Sequence, residues 1–583
     1  MWKRWLLALL AASSASAYAQ DATPTQIDWI RKNAVVFDTV KAGHGFEDLQ
    51  PLKQLIGDAR IVALGEPTHG SREVFRMKHR LLEFLVEEMG FSIFSIEANM
   101  PESFRLNDYV LRGQWSPEEL IRGMYFWTWA TDEVREMVEW MRRHNAEVER
   151  RQTGSPVAFT GFDIQTPDVA TRIVTGFVEK ADPGYAPVVR KAAKAATSAA
   201  RRLGWTIGVA TRAFPAERAR GRKFVYHGWI KTQNLQDGYA GLLWQCDVEP
   251  DGRALDKTQD RWPTGTTDWQ RFEITRTVPI EATHIDFGAL MRGRGKAWFD
   301  GLEVLIDGHP ISDLSVDLDF EGRQLTGFQM PSKGYEVTLD PAEAKTGRQS
   351  LRIQDAPPPL VEGGSDPARA AELWQAVVTH LEQNRLRYHE QQDLLSVDWA
   401  IVNARLVVDS MNVREDGGRS GLAVRDRAMA RMVEWILDQS PKARIALWAH
   451  NTHVSRQPGS MGRFLEERFP GQMVALGFAT GTGTYRAGSR AGKGVSEHGL
   501  EPPPPDSFER VFQASGLPRF ILDLRKAAPD SPESGWLLER KRFRSIGSME
   551  MEGSFQFRPL ELRDSFDGIV WIEQTAAALP LPR

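Results

Sequence analysis

The sequence predicts an α/β fold with a largely parallel sheet flanked by helices, interrupted by an inserted all-β sandwich. Three observations predict it. Seven short apolar runs look like strands buried on both faces: "RIVALG", "FSIFSIEA", "PVAFTGFD", "RIALWAH", "MVALGFA", "RFILDLR" and "GIVWIEQ". Stretches of helical periodicity lie between them, as parallel strands require. The alternation stops between about residues 205 and 356, and four of the seven runs follow that gap.

Taken in order, residues 1–19 read as a secretory leader. Lys3 and Arg4 precede the apolar "WLLALLAA", and "AYA" ends at Ala19 as a cleavage triplet. The mature chain is expected to begin near Gln20, in a periplasm or outside the cell. No later apolar run reaches the roughly 20 residues needed to cross a bilayer, so no membrane span is expected after cleavage. Residues 20–204 read as the first part of the α/β domain. Within them "SREVFRMKHRLLEFLVEEMG" has helix-period apolar spacing and closes on Gly90 as a C-terminal cap, and "TDEVREMVEWMRRHNAE" is similar. Residues 205–356 change character: "GRKFVYHGWIKTQNLQDGYAGLLWQCDV" and "TTDWQRFEITRTVPIEATHIDFGALM" alternate apolar and polar residues between turn signals, as antiparallel strands do. Residues 357–583 resume the α/β pattern, with "SGLAVRDRAMARMVEWILDQS" as a helix and "EPPPPD" at 501–506 as a stiff surface loop.

Composition narrows the chemistry. At 583 residues the chain exceeds one ordinary domain, and 42% hydrophobic content suffices for large cores. Without Lys3 and Arg4 the 73 basic residues become 71 against 77 acidic, a formal charge of −6, which gives no pull towards nucleic acid. The single cysteine, Cys246, excludes an intramolecular disulfide and a metal site of paired cysteines, and is expected as a buried thiol.

In open parallel sheets, ligands bind outside the carboxyl ends of the strands. There the first run delivers Glu66 and His69, the second Glu97, the third Asp163, and "RIALWAH" delivers His450 with His453 three residues on. Singly, each has a plain structural reading: Glu66 as a helix cap, His69 as a core histidine, Asp163 as a turn residue, the His450 and His453 pair as a polar loop. Four strand ends, each offering an acid or a histidine, point instead to one pocket. A histidine, with an ordinary pKa of about 6.5, can take a proton from water while a neighbouring carboxylate orients it. No G-x-S-x-G elbow is present to supply a serine nucleophile. A divalent ion held by the histidines and Glu97 is the alternative the same residues leave open, although no H-E-x-x-H spacing occurs and no metal ligand is assigned.

The blocks "VALGEPTHGSREVFRMKHRLLEFLVEEMGF", "IEANMPESFRLNDYV", "YFWTWATDEVREMVEWMRRHN", "GFDIQ", "RDRAMARMV" and "ALWAHNTHVSR" resemble the erythromycin esterase family of hydrolases. The resemblance covers roughly residues 25–200 and 365–580. It implies His69 as the general base that activates water, Glu66 and Glu97 as site acids, and His450 and His453 as the later histidine pair. Lys78 falls where members often carry arginine, and it lacks that residue's planar fork. His450, His453 and Lys78 are the candidate oxyanion donors, and Asp163, Trp127 and Trp129 the candidate substrate-binding residues. The expected activity is hydrolysis of a carboxylic ester or macrocyclic lactone, with macrolide inactivation as the family name suggests. The insert resembles jelly-roll, galactose-binding-like carbohydrate modules through "GWIKT", "TTDWQRFE" and "GKAWFDGLEVLIDG", with the stretch that normally opens such a module, residues 317–354, placed last, as in a circular permutation. Trp229, Trp244, Trp262, Trp269 and Trp298 would either bind glycan or fill its core. The competing functional reading is a glycan-binding or envelope protein with an inactive α/β domain, or an insert that only shapes the pocket rim or a dimer.

Overall fold

The computed structural model describes residues 22–202, 208–248, 252–257, 262–280, 282–311, 316–325, 327–328, 335–355, 367–416, 418–489, 494–551 and 553–582. The leader read at 1–19 lies outside them. The chain forms two compact units: Met1–Gln165 with Gly418–Gly488 and Val495–Arg583, and Thr166–Gly417 with Ser489–Gly494.

All seven predicted runs are strands of one nine-stranded sheet in the first unit. Its order runs Val35–Val36, Arg519–Asp523, Gly568–Thr575, Met473–Gly488, Ile61–Leu64, Ile445–Trp448, Ile93–Asn99, Ala158–Asp163, with Val495–Gly499 paired to Met473–Gly488. From Gly568–Thr575 to Ala158–Asp163 every neighbour is parallel. The "RFILDLR" strand runs antiparallel, so its end faces the opposite rim. The central strands Ile61–Leu64 and Ile445–Trp448 are buried at every position, which explains their unbroken apolar sequence.

Register decides what the rim presents. Trp448 is level with Leu64 on one side and Ile96 on the other. The residues that follow, Glu66, His450 and Glu97, therefore emerge side by side. Asn451 locks this edge: its backbone N–H donates to the Glu66 carbonyl at 2.9 Å, and its side chain both accepts from and donates to the Phe478 backbone. Gly65 makes room for it, since a Cβ there would collide with Asn451 Oδ1.

The flanking helices follow their patterns. Arg72–Met89 buries Val74, Phe75, Met77, Leu81, Leu82 and Leu85 and ends on Gly90, whose φ of +70° suits the left-handed cap. Asp132–Arg151 starts at Thr131, whose hydroxyl accepts from the Val134 N–H. Gly418–Gln439 packs on the Ala158–Asp163 strand.

The second unit holds the helices Asp168–Ala181, Ala186–Arg202, Pro367–Gln383, Arg385–His389 and Leu394–Asp416 together with an eight-stranded sheet between residues 208 and 355. Every pairing in that sheet is antiparallel, and its two long strands, Lys223–Val248 and Ala282–Ile306, pair along their length through several register shifts. Trp244 and Trp298 are buried there, Lys345 sits 4.4 Å over the half-buried Trp229, and Trp262 packs edge-on to Tyr239. Trp269 is half-buried, and the Cys246 side chain is buried. Among the described residues, no helix is long and apolar enough to cross a membrane.

Candidate active site

The residues that follow the Ile61–Leu64 strand build a tight network of charged side chains. His69 Nδ1 donates to Glu66 Oε1 at 2.7 Å. Glu66 Oε2 accepts from Lys78 Nζ at 2.8 Å and from the Trp448 indole at 2.6 Å. Glu66 and Lys78 are both fully buried. Burial opposes the Glu66 charge, yet the Lys78 ammonium and His69 outweigh it and hold the carboxyl below its usual range. The same burial pulls Lys78 down to about 8 against the pull of Glu66. Lys78 also lies 4.5 Å from the Trp448 ring centroid, a cation–π contact that partly replaces its lost hydration. His69 is 13% exposed, and no described residue takes its Nε2.

A second cluster forms beside it, around a residue not singled out above. Arg425 grips Asp163 with two parallel bonds, Nε to Oδ1 at 2.9 Å and Nη2 to Oδ2 at 2.8 Å, and gives Nη2 to Glu97 Oε1 at 2.8 Å as well. His453 lies between carboxylates: Nδ1 is 2.8 Å from Asp426 Oδ1 and Nε2 is 3.2 Å from Glu97 Oε1. Burial would lower the His453 pKa, but Glu97 and Asp426 override it and raise it to about 10, so the ring is an imidazolium at neutral pH. Burial also opposes the Glu97 charge, but His453 and Arg425 hold that carboxyl well below its usual range. Arg425 Nη1, 3.2 Å from a protonated His453 Nε2, has no acceptor there.

His450 behaves differently from its partner in the sequence pair. The Thr452 backbone N–H donates to His450 Nδ1 at 3.2 Å, so the ring proton is on Nε2, which donates to the Ile546 carbonyl at 3.1 Å. Burial, helped by neighbouring His69, pulls His450 down to about 3 and keeps it neutral. Its ring centroid is 5.0 Å from that of His69.

A cavity of about 790 Å³ opens above this floor, lined by His69, Glu97, Arg425, His450 and His453, with an apolar rim that includes Phe126, Trp127, Leu422 and Met551. Of the residues read from the sequence, Trp127 and Trp129 line it, although Trp129 is buried and its indole donates to the Glu97 backbone carbonyl. Asp163, expected to bind substrate, does not line the cavity, because Arg425 and Gln165 occupy its oxygens and it is fully buried. Lys78, a candidate oxyanion donor, does not line it either, because its ammonium is turned into the core towards Glu66. Arg425 and Asp426 were within the "RDRAMARMV" block but unrecognised; a charged pair on an amphipathic helix otherwise reads as a solvated face. Among the described residues, no group of three or more His, Cys, Asp or Glu side chains is arranged to hold a metal ion.

Lys78 makes a pH dependence explicit. With its pKa at about 8, the ammonium that anchors Glu66 loses its proton as pH rises through that value. Turnover should fall on the alkaline side of about pH 8, and in Lys78→Arg that limb should move beyond pH 10, since guanidinium does not titrate there. A pH–rate profile of the two proteins, run on any ester the wild type cleaves, checks it.

The family model for erythromycin esterase matches residues 86–225 and 338–575, beginning after Glu66, His69 and Lys78. YbfO of Bacillus subtilis is 31% identical over 187 residues, covering 32% of this chain and 40% of its own length. An erythromycin esterase type II of Escherichia coli is 29% identical over 137 residues, 24% of this chain and 31% of that protein. The chain thus matches well under half the length of these curated relatives. Among solved structures, a Bacillus cereus protein is similar at a TM-score of 0.60 and 18% identity, covering 96% of this chain and 98% of its own. An erythromycin esterase mutant in its open conformation is similar at 0.51 and 14%, covering 92% and 96%. At such identities the structural likeness speaks to the fold alone.

Proposed function

The chain belongs to the erythromycin esterase family, and we propose that it is an exported hydrolase that cleaves a carboxylic ester or macrocyclic lactone by attack of water. One observation carries this reading: His69 lines the cavity with Nδ1 tied to a buried carboxylate and with Nε2 left for a water. Nε2 would take a proton from that water as its oxygen attacks the carbonyl, and Glu66, ionised and fixed by Lys78 and Trp448, would stabilise the imidazolium formed. Charge developing on the carbonyl oxygen would meet Arg425 Nη1 and the His453 imidazolium, both on the cavity wall. Collapse of the tetrahedral intermediate would break the bond to the leaving alkoxide, which takes the proton back from His69 Nε2. Acid and alcohol are released, and the enzyme returns to its starting state.

The cavity volume falls in the range of small-molecule sites, and its aromatic and aliphatic rim suits a large apolar acyl or lactone ring, which supports macrolide inactivation as the first activity to test. We also read the all-antiparallel sheet between residues 208 and 355 as the jelly-roll module its sequence blocks resemble, set into the hydrolase. Purified mature protein, incubated with a macrolide and a panel of short-chain esters with and without chelator, should yield a product heavier by one water than the lactone, unaffected by chelator, in mass spectra. A panel in which nothing is cleaved would overturn the reading, and turnover abolished by chelator would replace its mechanism with a metal-dependent one.

A further inference from the structure

His450 has both ring nitrogens committed to backbone, and its Nε2 bond lands on a segment that shapes the cavity. Ile546, fully buried, is held on both sides of its residue: its N–H donates to the Pro67 carbonyl at 2.8 Å, and its own carbonyl accepts from His450 Nε2. Ile546 also bridges Thr68 in parallel fashion, so it continues the loop that carries Glu66 and His69. Its neighbours Ser545, Gly547, Ser548 and Met551 line the cavity. Further along, the segment is tied to the Met473–Gly488 strand: the Gly488 N–H donates to the Ser548 carbonyl and the Glu550 N–H to the Gly488 carbonyl, each at 2.9 Å. Residues 545–551 themselves belong to no helix or named strand.

We propose that His450 is a positioning residue that latches the 545–551 segment, through Nε2–H to the Ile546 carbonyl, into place as the wall of the His69 cavity. Its ring transfers no proton. Burial and the Thr452 N–H fix it as a neutral donor, and its contact with the Glu97 carboxylate, through the backbone N–H at 2.9 Å, anchors its own position. Of the residues on the two strand ends, His69 faces the cavity with a free nitrogen and His450 faces the wall with none.

The test uses the full chain and needs no substrate, so its outcome is independent of whether the hydrolase reading holds. Amide hydrogen exchange by mass spectrometry is compared among wild type, His450→Ala and His450→Gln, whose amide nitrogen can donate to the same carbonyl. In His450→Ala, peptides spanning 545–551 should exchange about five- to tenfold faster, the equivalent of one lost hydrogen bond, while peptides from the Arg72–Met89 helix keep wild-type rates. In His450→Gln the protection should return to within about twofold of wild type. Unchanged exchange over 545–551 in the alanine variant overturns the proposal, as does a glutamine variant no better protected than alanine. If the alanine variant does not fold, the glutamine variant decides by the same threshold.

Discussion

His69→Ala lowers turnover by about 10²–10⁴-fold with KM nearly unchanged, the range expected when a positioned general base is removed. The geometry argues that the loss is chemical. His69 is 13% exposed and contributes one short bond to Glu66. Its removal deletes a cavity-facing imidazole and leaves Glu66 bonded to Lys78 and Trp448, so the buried carboxylate keeps two donors. Unfolding midpoints should therefore stay close to wild type. Glu66→Gln separates the roles of the pair. Its amide preserves the shape, yet it removes the negative charge that supports the imidazolium and leaves Lys78 as a buried ammonium without a counterion at this position. That variant should lose both rate and stability. A His69→Ala protein that turns over at the wild-type rate would remove His69 from the mechanism, and the free nitrogen it presents would need another explanation.

The strand runs were legible because a strand buried on both faces carries no polar residue to interrupt it; Ile61–Leu64 and Ile445–Trp448 are such strands. Their ends were legible for a collective reason: an acid or a histidine after one such run has a plain structural reading, but four strand ends on the ligand-binding rim of a parallel sheet that all carry one point to a shared pocket. Glu66, His69, Glu97, His450 and His453 do come together, since register sets Leu64, Ile96 and Trp448 level. The division of labour among them was not legible. Whether a histidine is neutral, like His450, or an imidazolium, like His453, depends on carbonyls and carboxylates that arrive from other parts of the chain: Ile546 in one case, Glu97 and Asp426 in the other. Arg425 was hidden for a related reason. A helix position turns inward only because Gly418–Gln439 packs against the Ala158–Asp163 strand, and local periodicity does not reveal which charged residue will meet Asp163. The 545–551 segment has no period at all, so its place in the cavity wall depends on tertiary contacts: backbone hydrogen bonds and the packing of buried Ile546 with Tyr485, Ala487 and Leu500.

Arg425→Met is expected to cost about 3–5 kcal/mol of stability at pH 7, the cost of breaking a buried pair from one side. The methionine fills much of the volume, so the loss is electrostatic. Asp163 is fully buried and Glu97 is 5% exposed, and both accept short bonds from the one guanidinium. Without it Asp163 keeps the Ile164 N–H and the Gln165 amide but no cation, while Glu97 and Asp426 are left to share the single charge of His453. The pH dependence has a definite sign. In the wild type Glu97 is held ionised well below the usual carboxylate range by His453 and Arg425, so its contribution to stability is present at neutral pH and is lost as pH falls through that low value. Removing Arg425 removes one of those two lowering influences and with it part of that contribution. Urea midpoints of the two proteins should therefore differ in full at pH 7 and converge only as pH falls below the usual carboxylate range. Adding Asp163→Asn to Arg425→Met should recover part of the loss at pH 7, because an amide leaves no buried charge behind. Arg425→Lys should fall between, since a single ammonium cannot reproduce the paired bonds to Asp163 while also reaching Glu97. Equal midpoints for wild type and Arg425→Met at pH 7 would mean that water already solvates Asp163 and Glu97, and the low-dielectric floor on which the proposed oxyanion stabilisation depends would be lost with them.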